Sequence, residues 1–230
     1  MNAIIDPATI DSMTRFDTCA VANAIESFNV RLRNEGFTDS RILCRFPRLG
    51  TFIGHAATVR IRCSAPPPDG HPYPDRTDWW SHVQSISAPR IIVVEDLDHR
   101  PGLGAFIGEM HANILRALGC VGAVTNGSVR DLPAVENLGF QMFSGSVSAS
   151  HAYVHIVEFG HTVEVAGLRV SPGDLLMGDQ HGVVSIPAGI IATLPDAVVK
   201  SRQHEQEILR LCNTPGLTVE RLRHVVEGVL

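Results

Sequence analysis

The chain has 230 residues, of which 44% are hydrophobic and 19% charged, and a net charge of −5. This composition suits one well-buried domain and excludes a disordered chain, and the acidic balance offers no positive field to nucleic acid or anionic lipid. No apolar run reaches the roughly 20 residues of a membrane helix. The first residues, MNAIIDPATIDS, lack a basic stretch followed by an apolar one, so neither a membrane span nor a signal peptide is expected, and the expected compartment is the cytoplasm.

Residues 6–29 read as a helix with Thr18, Ala20, Val21, Ala24 and Ile25 on its apolar side, and residues 51–62 alternate as a strand does. Five prolines in residues 64–76 make that segment an extended surface loop. Residues 77–86 read as a helix whose adjacent Trp79 and Trp80 are expected in the core or a subunit contact, not in a substrate wall. Ile91, Ile92, Val93 and Val94 form a run typical of a strand buried on both faces. A turn-rich segment, DLDHRPGLGAFIG, then feeds a helix starting at about Glu109; Gly119 ends it, and CVGAVTNG reads as a second buried strand. Strand, loop, helix and strand make a βαβ unit, which a helix at 133–138 and a strand at 141–144 repeat. The chain beyond is β-rich, with residues 171–174 and the pair Gly178-Asp179 read as turns, and amphipathic helices at 197–212 and 219–229 close it.

Of the 19 basic residues, 18 are arginine, and the single lysine, Lys200, lies in a stretch that reads as an exposed helix. Schiff-base chemistry needs a lysine in a desolvated pocket, so carbonyl chemistry here points toward a metal. The five cysteines form no C-x-x-C pair and read as reduced thiols. There is no G-x-S-x-G elbow and no Walker A, and His204-Glu205 opens an H-E-x-x-H with Ile208 where the second histidine belongs. His151, His155 and Glu158 offer a two-histidine, one-carboxylate set, although alternating strand residues explain the same spacing better.

The strongest local feature is Asn126-Gly127-Ser128-Val129-Arg130-Asp131, which places Arg130 and Asp131 in the loop at the C-terminal end of an apolar strand, where α/β sheets gather ligands. The same pair also reads as a surface ion pair or as a helix N-cap. Gly102, Gly104 and Gly108 miss the dinucleotide spacing; they suit a tight loop, or a backbone approached closely by a carboxylate at the helix N-terminus. Together, Glu109, Arg130, Asp131 and the glycine amides suit a 2-oxo acid chelated to Mg²⁺ or Mn²⁺.

Glu109, twenty intervening residues and then Arg130-Asp131 resemble the acidic-x20-Arg-Asp signature of the 4-hydroxy-4-methyl-2-oxoglutarate aldolase family, homologous to the regulator of ribonuclease E activity A (RraA) proteins. DTCAVANAI, GHAATVRI, GCVGAVTNGSVRD and SPGDLLMGDQHGVVSIP resemble further blocks of that family. The resemblance implies a single α/β swivelling domain over residues 1–230, with layered β/β/α architecture. Residues 195–230 would be a C-terminal helical extension at a subunit interface of a homotrimer or homohexamer. It implies that Asp131 ligates the metal, that Arg130 contacts pyruvate and that Glu109 orients metal-bound water. The amides of Gly108, Glu109 and Met110 would receive the pyruvate carboxylate, and a glutamate from a neighbouring subunit, best matched by Glu205 with Glu207 as the other candidate, would complete the site. Three departures stand out: the family commonly has Asp where Glu109 stands, His181 occupies a place where many relatives carry an acid, and the proline-rich loop at 64–76 is unusual and would line a different substrate pocket. The expected activity is a metal-dependent lyase that cleaves a 4-hydroxy-2-oxo acid to pyruvate and a carbonyl product, and also decarboxylates oxaloacetate. A non-catalytic ribonuclease-binding regulator and another enolate reaction on a sugar-derived acid are the alternatives. A small-molecule substrate is expected, with no nucleic-acid or membrane partner.

Overall fold

The computed structural model describes residues 7–68 and 76–227. The helix expected over 6–29 is two helices, α1 (Pro7–Met13) and α2 (Thr18–Glu26), while residue 6 and the span 69–75 of the proline-rich loop lie outside the described residues. The break comes at Asp17, whose extended backbone and side chain cap α2 by accepting the Ala20 N–H at 2.7 Å. A carboxylate that satisfies an unpaired helical amide starts a new helix instead of continuing the old one.

Nine of the described strands form one sheet in the order β1 (Leu43–Cys44), β6 (Gln141–Val147), β5 (Cys120–Val129), β3 (Arg90–Asp96), β2 (Phe52–Arg62), β10 (Leu175–Asp179) and β11 (Gly182–Ile186). Off this path, β4 (Ala105–Ile107) pairs with β5 and β7 (His155–Phe159) with β2. The central strands β2, β3, β5 and β6 run parallel, as the βαβ reading requires, with α4 (Glu109–Ala117) between β3 and β5 and α5 (Leu132–Asn137) between β5 and β6.

Both faces of the sheet are covered, so its strands are apolar at successive positions. Ile92 and Val94 face a core shared with α3 (Arg76–Ser85), α4 and α5, whereas Ile91 and Val93 face the hairpin of β8 (Val163–Val165) and β9 (Leu168–Val170). Each such side chain contributes about 1.5–3 kcal/mol by leaving water. A third core joins α1, α2 and the start of α6 (Leu194–Cys212) to β10 and β11. Helices, sheet and hairpin therefore form the expected β/β/α layers of a single mixed α/β domain. Among the described residues beyond Val198, α6 and α7 (Val219–Glu227) add no side chain to this core; Leu209 and Val219 are exposed.

One expected turn and the start of one expected strand prove otherwise. Gly178 and Asp179 are the last residues of β10, and the turn follows at Gln180 and His181. Gly178 is in the strand because a Cβ there would lie 2.2 Å from Phe52 Cε1, and only glycine lets that ring cross β10. The segment 151–154 is a turn, not a strand, with β7 starting at His155. No described helix is long and apolar enough to cross a membrane.

Candidate active site

The site is built by β4, a three-residue strand hidden in the turn-rich segment. Ala105 pairs with Ser128 and Ile107 with Val129, in parallel, so β4 and β5 end side by side. The next residues of each, Gly108-Glu109 and Arg130-Asp131, are therefore neighbours, and the Arg130 N–H donates to Ile107 O at 3.1 Å.

Asp131 sits at the N-cap position of α5 in the left-handed region, with φ 56° and ψ 37°, which Asp tolerates better than most residues. Its side chain makes no cap bond to α5. Instead Oδ2 accepts the Glu109 N–H, the first amide of α4, at 3.0 Å, and Arg130 Nε at 3.2 Å. Thus both readings of the pair in the sequence hold in part: it is an ion pair and a helix cap, but the capped helix is α4. Among the described residues, Oδ1 of Asp131 and the two Nη groups of Arg130 have no partner. Both side chains are 35% exposed.

A cavity of about 430 Å³ lies beside this pair, and Gly108, Met110, Arg130 and Asp131 line it. Gly108 is extended, so its backbone needs no glycine; the neighbours do. A Cβ there would stand 2.5 Å from Asp131 Oδ2 and 2.8 Å from Arg130 Cγ. The Glu109 main chain is joined to the site through Asp131, but its side chain is exposed and is not among the lining groups. Glu205 lies on α6, accepts Asn23 Nδ2 at 3.1 Å and is outside the cavity of its own chain, as is Glu207, near His204.

The far wall escaped the sequence reading. Trp79 is fully buried core, as expected, but Trp80 lines the cavity together with Phe106, His111 and His151. The 148–152 turn reaches the cavity because Ser150 O accepts the Ala105 N–H at 2.9 Å and Ser148 Oγ donates to Leu103 O at 3.0 Å. Gly104 permits this approach, since a Cβ there would meet His151 O at 2.4 Å. The Phe106-His111 spacing, i to i+5 across a strand–helix junction, matches neither helical nor strand periodicity.

His151, His155 and Glu158 do not converge: His155 Nδ1 lies 2.9 Å from Tyr153 O, and Glu158 pairs with Arg60 at 2.5 Å. Among the described residues, the one cluster of three metal-ligand types is Cys63, Asp96 and Asp98, with ligand atoms within 4.8 Å of one another. Its carboxylates are already used. Asp98 accepts Cys63 N–H, Ser64 N–H and Ser64 Oγ, each at 2.8 Å, and Asp96 accepts the amides of Asp98 and Gly102. Burial first, and then Asp96 and Asp98, push the Cys63 thiol up to about 12, so it stays protonated. The cluster is a clamp that holds the ends of two loops. Asp96-Leu97-Asp98 at the end of β3 was its legible signal.

The comparisons agree with this architecture. The family model described as RraA-like, Aldolase/RraA, matches residues 18–185. A protein of Halalkalibacterium halodurans, provisionally named 4-hydroxy-4-methyl-2-oxoglutarate aldolase, is 33% identical over 86 residues, or 37% of this chain and 41% of that protein. An uncharacterised protein of Methanocaldococcus jannaschii is 28% identical over 166 residues, 69% of this chain and 73% of that one. Among solved structures, an uncharacterised protein from Pseudomonas syringae pv. tomato superposes with a TM-score of 0.75 at 20% identity, covering 97% of this chain and 96% of that one. RraAS2 of Streptomyces coelicolor, described as an unusual member of the RNase ES inhibitor RraA family, gives 0.70 at 18% identity, covering 88% and 97%. At those identities the structures support the fold alone, and the family match over 18–185 carries the assignment: this chain belongs to the Aldolase/RraA family.

Proposed function

We propose that the protein is a divalent-metal-dependent carbon–carbon lyase that cleaves a 4-hydroxy-2-oxo acid to pyruvate and a carbonyl product and decarboxylates oxaloacetate. The observation that carries this reading is the β4–β5 pairing, which sets a carboxylate, a guanidinium and the N-terminus of α4 around one cavity. The donor set fits Mg²⁺ or Mn²⁺. Asp131 is a hard oxygen donor whose Oδ1 has no partner among the described residues, and ions of this kind take few protein ligands and the rest from water and substrate. Such an ion would supply Lewis-acid withdrawal of charge from the 2-oxo group.

The chain's own groups do the rest. Arg130, with Nε held by Asp131, presents its Nη groups to the substrate's carboxylate and to the negative charge that develops as the C3–C4 bond breaks. The first turn of α4 adds the Met110 amide, which has no acceptor within its own helix, and the positive end of the helix dipole. Glu109 at the start of α4 would orient water at that ion, which requires its exposed side chain to turn toward the cavity, and Glu205 of a neighbouring copy would complete the site in a homotrimer or homohexamer. The cytoplasm is the proposed compartment.

The test is pyruvate release from oxaloacetate with Mg²⁺ or Mn²⁺, with and without excess EDTA. The reading expects activity that EDTA removes and that Arg130→Ala and Asp131→Ala abolish in folded protein. Undiminished turnover in EDTA contradicts it, and a folded protein inert toward 2-oxo acids leaves the ribonuclease-binding reading in its place.

A further inference from the structure

The cavity beside Arg130 and Asp131 is far larger than the three-carbon fragment those residues address, and at about 430 Å³ it falls in the ~300–1,000 Å³ range of small-molecule sites. Among the described residues, its remaining lining carries no lysine, arginine or carboxylate. Trp80, Phe106, Ile114 and Val154 form the apolar side, and the imidazoles of His111 and His151 are the other ionisable groups among the described lining residues.

Each of those imidazoles is tied through Nδ1 to a main-chain carbonyl. His111 Nδ1 lies 3.1 Å from Phe106 O, its ring standing edge-on to Phe106 with centroids 4.7 Å apart and planes at 85°. His151 Nδ1 lies 3.1 Å from Ala152 O. A ring nitrogen facing a carbonyl oxygen carries the proton, which fixes how each ring is oriented. Trp80 Nε1 is buried and has no acceptor among the described residues, a single donor suited to one neutral oxygen. A second carboxylate in this cavity would lose water and meet no lysine or arginine beyond Arg130 among the described residues, whereas an apolar ring would gain the transfer energy of its whole surface.

We propose that the cavity takes a 4-hydroxy-2-oxo acid whose C4 substituent is uncharged and ring-sized, so that the second product is a neutral aldehyde or ketone. This inference rests on the lyase reading above and names the substrate class of that same site. The cleavage needs no further reactant. The hydroxyl proton leaves, its oxygen becomes the carbonyl of the neutral product, and the C3–C4 electron pair stays with pyruvate as the enolate, which takes a proton at C3.

Binding tests this apart from turnover, through calorimetry in Mg²⁺ with oxalate and two 2-oxo acids that lack the 4-hydroxyl and cannot be cleaved. 2-Oxo-4-phenylbutanoate is expected to bind at least about tenfold more tightly than 2-oxoglutarate, the gain that burial of one ring provides. Trp80→Ala, or Phe106→Leu should the first variant fold poorly, is expected to narrow that ratio to below about threefold, and Arg130→Ala to weaken both ligands. Oxalate binding together with equal or tighter binding of 2-oxoglutarate overturns the inference and leaves the lyase reading standing. Failure of oxalate itself to bind overturns the lyase reading.

Discussion

The Asp131 carboxylate lies 3.0 Å from the amide nitrogen of Glu109, twenty-two positions away in the chain, and so caps a helix other than the one it precedes. This contact fixes the start of α4 to the end of β5 and leaves one carboxylate oxygen without a partner among the described residues. Asp131→Asn keeps an acceptor for the Glu109 amide but removes the charge. Its expected stability loss is about 1 kcal/mol, small because the pair is partly solvated, while metal-dependent pyruvate release falls by at least about 100-fold. Urea unfolding and the pyruvate assay measure the two effects separately.

Gly108→Ala tests the geometry without altering any charged group. The added methyl would meet Asp131 Oδ2 and Arg130 Cγ, and one of them must move. The extended backbone accepts alanine, so the variant is expected to fold with nearly wild-type stability and to lose affinity for oxalate by about tenfold or more. Unchanged affinity would show that the Arg130-Asp131 arrangement is not what holds the ligand.

Asp179 gives the pH prediction. Burial pushes its carboxyl up, but the Thr18 and His181 amides, the Thr18 hydroxyl and the His181 ring outweigh that and hold it below the usual carboxylate range. A depressed pKa stabilises the fold above the unfolded value of about 3.9, and the contribution is lost as the pH falls through the folded value. Asp179→Ala is therefore expected to cost about 2–4 kcal/mol at pH 7. The gap from wild type should narrow as the pH drops below about 4. Denaturation curves at pH 7, 5 and 3 would show this, and a gap that widens in acid would refute the assignment.

The thiols should divide by burial. Cys63 and Cys120 are buried, each pushed up to about 12 chiefly by desolvation, whereas Cys19 and Cys212 are exposed. Iodoacetamide at pH 8 is expected to label Cys212 and Cys19 in native protein and to reach Cys63 and Cys120 only after unfolding. Peptide mass mapping reads the outcome. Labelling of native Cys63 would show that the Asp98 clamp opens readily.

The proline-poor apolar run at 91–94, the Gly119 stop and the strand after it were legible because hydrophobic pattern and helix-breaking residues act locally. The same holds for the Asn126–Asp131 block, whose place at a strand end follows from the order of elements. The break at Asp17 was missed because a cap reveals itself only when its side chain reaches an amide. β4 was missed because three residues among glycines carry too little periodicity to register.

Composition and local pattern thus determined, by themselves, the parallel strands at the centre of a sheet covered on both faces, their βαβ units, and the loop bearing Arg130 and Asp131. Only the tertiary structure decided that β4 lies along β5, that Asp131 caps α4, and that Trp80 and Phe106 share a cavity with Arg130. Each of these depends on a contact between segments far apart in the chain. Such contacts arise where backbone hydrogen bonds and close approach at Gly104 and Gly108 bring loops together, and no local periodicity encodes them.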